Sequence, residues 1–244
     1  MTTKIYGHRG SKGNYPENTM LGFKKAIETG VSGIEIDIHM TKDEELVVFH
    51  DFTLERTSTG LGFIKDHTLE EIQCLSVGAM FKDFEKYEKN WDDEHIPTLS
   101  EVLELFKKHD LEVNIELKTY MFTYPGIEEK MFKVIKESEY NPKKVIYSSF
   151  HIPTILRMKE INPSAKFALL TMQDFPRLDD YFDVLGLESF HPGKDQVLNN
   201  LDFWKPLANR IRVWTVNAPA DMQTFIDMGV KAIITDYPEV AVKL

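Results

Sequence analysis

Short runs rich in β-branched residues alternate with helical runs along almost the whole chain of 244 residues. The β-type runs predict eight strands, at residues 4–7, 34–39, 112–117, 145–148, 167–170, 183–187, 211–216 and 232–234. Helices are predicted at residues 17–29, 100–109, 127–138, 152–161, 175–181, 196–206 and 219–228. Such an alternation in a chain of about 250 residues is typical of a (β/α)₈ barrel.

A doubly wound open sheet is the alternative fold for the same alternation. Such a sheet usually has a glycine-rich phosphate-binding turn after its first strand. The corresponding segment here, Gly7-His8-Arg9-Gly10-Ser11, does not have that spacing. The barrel is therefore favoured, with Pro16 and Ser100 predicted to begin its first two helices.

One segment, residues 52–95, interrupts the alternation of strands and helices. It contains Thr59-Gly60-Leu61-Gly62 and a charged, aromatic-rich stretch that ends near Trp91-Asp92-Asp93. We interpret it as an insertion that covers the mouth of the barrel. The chain is then one domain, residues 1–244, which is within the size range of a single α/β domain.

Residues 33–51 predict a β-hairpin with one apolar and one ionisable face. Three isoleucines alternate with Glu35, Asp37 and His39, so the period of two places the ionisable groups on one side. A second strand follows at residues 46–49. If Asp43 and Glu44 are the central residues of a two-residue turn, Asp37 lies opposite His50. The alternative is a surface hairpin with a charged face and no site.

Composition excludes several classes of protein. The net charge is −10 and no Lys/Arg-rich run occurs, so the chain lacks the basic surface that nucleic acid or anionic membranes require. No run of about 18 apolar residues and no apolar leader is present, which predicts a cytoplasmic protein without stable membrane insertion. The one cysteine, Cys74, excludes an internal disulfide and is interpreted as a small hydrophobe.

Polar residues stand where the predicted strands end, and in a barrel these ends meet at one face. Each of them alone has an ordinary structural explanation. Together they would cost several kcal/mol in repulsion and desolvation unless a metal or substrate balanced them. The residues are His8, Arg9, Glu35, Asp37, His39, Glu116, Lys118, Trp214, Asn217, Thr235 and Asp236.

This set predicts cleavage of a phosphate ester. Glu35, Asp37 and Glu116 are an all-oxygen ligand set, which suits Mg²⁺ or Ca²⁺, with Mn²⁺ also possible. His8 and His50 fit proton transfer at neutral pH, although either could instead bind a transition metal. Arg9 and Lys118 supply positive charge for a phosphate, and Trp214 and Asn217 are assigned to substrate or phosphate binding.

An ordered set of short motifs runs from near residue 5 to residue 238. It comprises His8-Arg9-Gly10, Pro16-Glu17-Asn18-Thr19, Glu35-x-Asp37, His50-Asp51-x-Thr53-x-x-Arg56-Thr57, Ile96-Pro97-Thr98-Leu99, Glu116-x-Lys118, Trp214-Thr215-Val216-Asn217 and Thr235-Asp236-Tyr237-Pro238. The set resembles the glycerophosphodiester phosphodiesterase family. The resemblance departs in two places, Glu44 at a common turn glycine and Ala79-Met80-Phe81 at a common aromatic pair.

The resemblance implies a (β/α)₈ barrel with a small insertion after His50-Asp51. It also implies a divalent metal on Glu35, Asp37 and Glu116, with His8 and His50 as an acid/base pair and Arg9 and Lys118 near the phosphate. The implied reaction is hydrolysis of a glycerophosphodiester to glycerol 3-phosphate and an alcohol. Either water or the glycerol 2-hydroxyl could attack the phosphorus, the latter through a cyclic phosphate.

Two other functions are compatible with the same sequence. The first is a lysophospholipase D-like enzyme that acts on lipids and needs an exposed apolar rim, for which the insertion offers Phe63, Met80, Phe81, Phe84 and Trp91. The second is a barrel that binds a phosphate without catalysis, because a fold alone does not establish an activity.

Overall fold

The computed structural model describes residues 2–173 and 175–244. Within these residues the strands are β1 Lys4–His8, β2 Gly33–Met40, β3 Leu46–Val48, β4 Glu112–Leu117, β5 Val145–Ser149, β6 Lys166–Thr171, β7 Ser189–Pro192, β8 Arg212–Val213 and β9 Ala232–Thr235. All except β3 are parallel to their neighbours, in the order β7-β6-β5-β4-β2-β1-β9-β8. Parallel bridges between Phe190 and Ile211 and between Gly193 and Trp214 join the two outer strands. The predicted (β/α)₈ barrel is confirmed.

Helices connect the strands on the outside of the barrel. They are α1 Met20–Glu28, α2 Leu69–Gln73, α3 Leu99–Lys107, α4 Ile127–Glu137, α5 Ile152–Ile161, α6 Leu178–Leu185, α7 Lys194–Leu198, α8 Leu201–Trp204, α9 Pro219–Met228 and α10 Pro238–Ala241. Their apolar faces and the outward side chains of the strands form the main hydrophobic core. None of the helices among the described residues is long and apolar enough to cross a membrane.

Side-chain caps set the starts of the first two barrel helices, and both predicted starts are wrong. The Gly22 amide donates to Thr19 Oγ1, so α1 begins at Met20 and leaves Glu17 and Asn18 in the preceding loop. Thr98, not Ser100, caps α3, because its side chain and that of Glu101 form a reciprocal capping box.

Two predicted elements between β6 and β8 are also wrong. The strand predicted at residues 183–187 is largely the last turns of α6, and the true strand β7 follows the left-handed cap at Gly186. The helix predicted at 196–206 is divided into α7, α8 and a 3₁₀ turn, Lys205–Arg210. Short apolar runs such as residues 181–187 fit a buried strand and a buried helix equally well.

The hairpin of β2 and β3 forms, but its predicted register is wrong by one residue. Ile38 pairs with Val48 and Met40 with Leu46, so Asp37 lies opposite Phe49 rather than His50. The cause is a three-residue loop, residues 42–44, in which Glu44 has a φ of 64°. His50 lies beyond the end of β3, and a bend after Phe49 brings it to the barrel mouth.

Residues 52–95 share a small hydrophobic cluster, separate from the main core, with the second arm of the hairpin. The buried members of the cluster are Val47, Phe49, Leu54, Ile64, Ile72, Val77, Phe81, Trp91 and Ile96. This arrangement is compatible with an insertion on the barrel. The assignment of residues 1–244 to one domain, with 52–95 as an insertion subdomain, stays a prediction.

Candidate active site

Three carboxylates meet at the carboxyl ends of β2 and β4. Asp37 and Glu116 are direct neighbours on the two parallel strands, and Glu35 precedes Asp37 by two residues on the same face. One oxygen from each of the three residues lies within 4.8 Å of the others, and all three side chains are buried. The structure therefore brings together the three predicted metal ligands.

Two cations lie among these carboxylates. Lys118 Nζ is 2.6 Å from Glu116 Oε1 and 3.0 Å from Asp37 Oδ1. Arg9 Nε is 3.2 Å from Asp37 Oδ2, and the Arg9 amide donates to Glu35 Oε2 at 3.1 Å. Both predicted phosphate-binding residues are thus next to the carboxylates.

The protonation of the carboxylates reflects this crowding. Burial, followed by the negative charge of Asp37, raises the pKa of Glu35 well above its usual value. Burial also raises the pKa of Glu116, against the opposing charge of Lys118. Burial alone would raise the pKa of Asp37, but Lys118 and Arg9 outweigh it and hold that pKa well below its usual range. Buried oxygens with an excess of negative charge are a donor set that fits a hard divalent cation.

The backbone at the mouth adopts an uncommon conformation next to Asp37. Arg9 and Asn18 have φ angles of 52° and 53°, in the left-handed region that non-glycine residues seldom adopt. The Asn18 amide donates to the Arg9 carbonyl, and Asn18 Nδ2 donates to Asp37 Oδ2 at 2.9 Å. Such strain is often found where a structure must hold functional groups in place. Asn18 was not among the predicted site residues.

His8 is oriented by a carboxylate on the last strand. Its Nδ1 donates to Asp236 Oδ1 at 2.6 Å, so Nε2 is directed into the mouth and lies 3.9 Å from Glu35 Oε2. Burial and the nearby charge of Arg9 lower the pKa of His8 to about 4, although Asp236 opposes the shift. At pH 7 the imidazole is therefore neutral, with Nε2 able to accept a proton.

Asn217 supports Asp236 rather than facing the cleft. Asn217 Nδ2 donates to Asp236 Oδ2 at 2.8 Å, and the amide of Asp236 donates to Asn217 Oδ1 at 3.0 Å. Both polar atoms of the Asn217 amide thus bind one neighbour. The assignment of Asn217 to substrate binding stays a prediction.

His50 is oriented by the residue that follows it. Its Nδ1 donates to Asp51 Oδ1 at 2.5 Å. Arg56 Nε and Nη2 donate to Asp51, and Nη1 and the same Nη2 donate to the buried carboxylate of Glu17. Arg9 Nη1 also donates to Glu17, at 2.9 Å. A continuous chain of ion pairs therefore links His50 to Arg9 and, through it, to Asp37.

Glu17 stays ionised in the middle of this chain. Burial would raise its pKa, but hydrogen bonds from Arg56 and the charge of Arg9 lower the pKa of Glu17 to about 2. Asp51, Asp236, Glu17 and Arg56 orient the histidines. Of these, only Asp236 was predicted to lie at the mouth, and its role as the partner of His8 was not predicted. All four residues belong to the motifs quoted above. The acidic residues and arginines of those motifs were therefore the sequence feature that could have identified the partners of the histidines.

His39 does not join the carboxylate cluster, although it follows Asp37 by two residues on β2. Its Nε2 lies 3.1 Å from the carbonyl oxygen of His50, which only accepts, so Nε2 carries the proton. Nδ1 therefore accepts from the hydroxyl of Tyr124, at 3.0 Å. Burial lowers the pKa of His39 to about 4, which keeps it neutral. His39 thus fixes the backbone of His50.

A cleft opens at the carboxylates. It is lined by His8, Arg9, Glu35, His50, Asn114, Glu116, Leu170, Trp214 and Ile234. Trp214 Nε1 donates to the carbonyl of His191 at 2.7 Å, which fixes the indole ring in the cleft wall. Both histidines, two of the carboxylates, Arg9 and Trp214 thus face one space.

The apolar rim expected of a lipid-binding enzyme differs from the predicted one. Phe81 and Trp91 are buried and Phe84 is half-buried, whereas Phe63 and Met80 are exposed. Tyr120 and Met121, from the loop after β4, are also exposed and were not predicted. The rings of Trp214, Phe150, Tyr120 and Phe52 follow one another with centroids 4.9–6.4 Å apart.

Comparisons with known proteins agree on one family. Residues 8–240 match the model of the glycerophosphoryl diester phosphodiesterase family. A glycerophosphodiester phosphodiesterase of Caldanaerobacter subterraneus is 40% identical over 247 residues, covering 100% of this chain and 98% of the relative. The Bacillus altitudinis enzyme of the same name is 37% identical, covering 99% of this chain and 98% of the relative.

Solved structures have the same fold. A glycerophosphodiester phosphodiesterase from Thermotoga maritima superposes with a TM-score of 0.78 at 27% identity, covering 100% of this chain and 98% of that one. An Oleispira antarctica phosphodiesterase, solved with its product sn-glycerol-3-phosphate, superposes with a TM-score of 0.86 at 24% identity, covering 100% of this chain and 98% of that one.

Proposed function

Because the chain belongs to the glycerophosphoryl diester phosphodiesterase family and is therefore a phosphoric diester hydrolase, we propose how its residues carry out the reaction. The substrate is a glycerophosphodiester, and the products are glycerol 3-phosphate and an alcohol. Glu35, Asp37 and Glu116 hold a divalent metal, Mg²⁺ or Ca²⁺ with Mn²⁺ as a further candidate, and His8 and His50 transfer protons.

One observation carries this proposal. Three buried carboxylates lie within 4.8 Å of one another, and two histidines, each held at Nδ1 by an aspartate, line the cleft that opens there. A divalent metal bound by the carboxylates would supply positive charge for the phosphoryl oxygens. Lys118 and Arg9, already next to the carboxylates, add fixed positive charge in a largely buried site, where it stabilises a developing negative charge more strongly than in water.

The two histidines have complementary tasks. His8, neutral at pH 7 and buried, accepts the proton of the attacking hydroxyl at Nε2. His50, whose ring is held at Nδ1 by Asp51, donates a proton from Nε2 to the departing alcohol. After this step His8 carries an additional proton and His50 has lost one. The two histidines can therefore transfer protons in the opposite direction in a second step.

The attacking group is proposed to be the glycerol 2-hydroxyl. It is already joined to the phosphoryl group, so its attack avoids the entropy cost of fixing a separate water, a saving of about 7 kcal/mol or more. A cyclic phosphate forms with loss of the alcohol, and water then opens it with the histidines in exchanged roles. A 2-deoxy analogue tests this route, since turnover at the normal rate would show that the hydroxyl does not attack.

The metal requirement is tested by two independent measurements. Calorimetric titration with Mg²⁺, Ca²⁺ and Mn²⁺ is expected to show binding to the parent protein and weak binding to Glu35→Gln. Release of glycerol 3-phosphate from glycerophosphodiesters should be lost after chelation and restored by metal. Glu104→Gln, an exposed glutamate on α3, is the matched control. Normal turnover by Glu35→Gln after exhaustive chelation would refute the metal site.

A further inference from the structure

The cleft at the carboxylates also reaches Asn114. Asn114 precedes Glu116 by two residues on β4, so its side chain also points into the barrel, one layer deeper. In the parallel register it is the neighbour of Glu35 on one side and Ile146 on the other. Only 1% of Asn114 is exposed, yet it lines the cleft.

The amide of Asn114 is unusual because both of its polar atoms lack a protein partner. Within residues 2–173 and 175–244, no hydrogen bond reaches either Asn114 Nδ2 or Asn114 Oδ1. Other buried polar side chains on the barrel strands keep at least one partner: Tyr6 donates to Glu112, and Ser189 accepts from Arg212. A buried unpaired amide is costly, and a leucine of similar volume would avoid that cost. A ligand group that enters the cleft would offset it.

The chemistry of the amide indicates what that group is. A carboxamide is neutral and offers a donor and an acceptor, which a hydroxyl matches at both atoms. Leu170 and Ile234 are apolar residues that line the same cleft, and among the described residues no charged side chain is hydrogen-bonded to the Asn114 amide. The cations that suit a phosphate, Arg9 and Lys118, instead contact the carboxylates. The Asn114 end of the cleft therefore fits a small alcohol.

We propose that Asn114 binds the terminal hydroxyl of the glycerol arm and thereby determines specificity for glycerol diesters. The inference rests on the proposed function, which places the phosphate and the 2-hydroxyl between the two histidines. The terminal hydroxyl is the polar group of the glycerol arm farthest from the phosphorus. A diester whose alcohols lack this hydroxyl leaves the Asn114 amide unpaired and is cleaved poorly.

A double-mutant cycle between residue and substrate tests the contact. The residue change is Asn114→Leu, and the substrate change replaces glycerol by propane-1,2-diol, which keeps the hydroxyl next to the phosphate and lacks the terminal one. Each single change is expected to lower kcat/KM by about 10²-fold, and the two together should lower it no further. Losses that multiply would overturn the contact.

Two further measurements separate substrate binding from a structural role. Asn114→Leu should raise Tm, because the variant no longer buries an unpaired amide, and its affinity for the metal should equal that of the parent protein. A lower Tm, or a tenfold loss of metal affinity, would show that Asn114 supports the fold or Glu35 and would overturn the proposal. Asn114→Ala checks that any kinetic loss does not come from the shape of leucine.

The parent protein in the same assay distinguishes the two proposals. If the parent releases no glycerol 3-phosphate from any glycerophosphodiester, the proposed function falls and the contact falls with it. If the parent is active and Asn114→Leu discriminates between the glycerol and propanediol substrates as the parent does, only the contact is overturned.

Discussion

The two ends of the barrel both bury charged side chains, but they treat them differently. At the amino-terminal end, which we call the floor, Arg212 Nη1 donates to Glu188 at 2.6 Å and Lys231 also binds Glu188. Glu112 forms an ion pair with Lys4 and accepts a hydrogen bond from the hydroxyl of Tyr6. Each carboxylate at the floor therefore has more than one donor.

At the carboxyl-terminal end, the mouth, three carboxylates share two cations. The pKa shifts of the glutamates show the result. Burial would raise the pKa of Glu188 and Glu112, but Arg212 and Lys4 respectively hold those pKa values below the usual range. At the mouth, burial and neighbouring carboxylates raise the pKa of Glu35 and Glu116. The protein's own donors stabilise the two floor glutamates as carboxylates, whereas the carboxylates of the mouth outnumber the cations beside them.

The largest expected effect is a difference between two matched variants, one at each end of the barrel. Glu116→Gln should lower kcat/KM by about 10⁴-fold, because several kcal/mol of charge stabilisation in the transition state depend on the metal. Its Tm should stay the same or rise, since a repelled carboxylate is removed. Glu188→Gln should show the reverse, with normal turnover and a lower Tm. Steady-state kinetics and thermal melts of both variants measure these effects. Similar behaviour of the two variants would contradict the difference between the mouth and the floor.

The next effect concerns the histidines at the mouth. His8→Asn and His50→Asn should each lower kcat by about 10³-fold, because each removes a proton-transfer group. His109→Asn, at an exposed position, is the control, and His67 and His95 are likewise expected to be dispensable. The assay needs a substrate with a poor leaving group. A His50→Asn enzyme within a few-fold of the parent would remove His50 from the mechanism.

At the floor, Arg212→Met should destabilise the protein by roughly 3–5 kcal/mol. The change leaves the carboxylate of Glu188 with one cation fewer in a buried position, which is the costly way to break an ion pair. Urea denaturation measures the loss, and kcat/KM under native conditions should stay close to that of the parent. A variant as stable as the parent would show that the floor charges are not what holds this end together.

Sequence patterns predicted which carboxylates lie at the mouth better than they predicted the partners and the hairpin register around them. The period of two in β2 and the position of Glu116 on β4 were enough to predict that the three carboxylates lie together, because strand alternation is a local property. Asp236 was missed as the partner of His8, because 228 positions separate the two in the chain and only the closed barrel joins them. The hairpin register failed because the turn length depends on Glu44 adopting a conformation that its residue type does not predict.

Acid titration gives a smaller effect that again compares the two ends. Glu188 has a folded pKa below its unfolded value of about 4.3, so its ionisation stabilises the protein above that pH. The stabilisation, about 2 kcal/mol, is lost as the pH falls from about 4.3 towards the lowered folded pKa. The difference in unfolding free energy between the parent and Glu188→Gln should therefore be largest at pH 7 and shrink below pH 4. A difference that stays constant from pH 7 to pH 3 would contradict this assignment.

The smallest effect concerns His39, a residue at the mouth whose two nitrogens are both bonded, as the two carboxylate oxygens of Glu188 at the floor are. We expect the hydrogen bonds of His39, rather than its place at the mouth, to decide its role. His39→Leu should then lower Tm modestly and kcat by about tenfold, because the backbone carbonyl of His50 loses its donor. His39→Gln keeps an amide donor for the carbonyl of His50 and should recover kcat to within about threefold of the parent. Since the pKa of His39 is lowered to about 4, the shape of the pH–rate profile between pH 5 and 9 should be the same in all three proteins. A profile that changes shape in His39→Leu, or a Gln variant no better than the Leu variant, would show that His39 takes part in proton transfer.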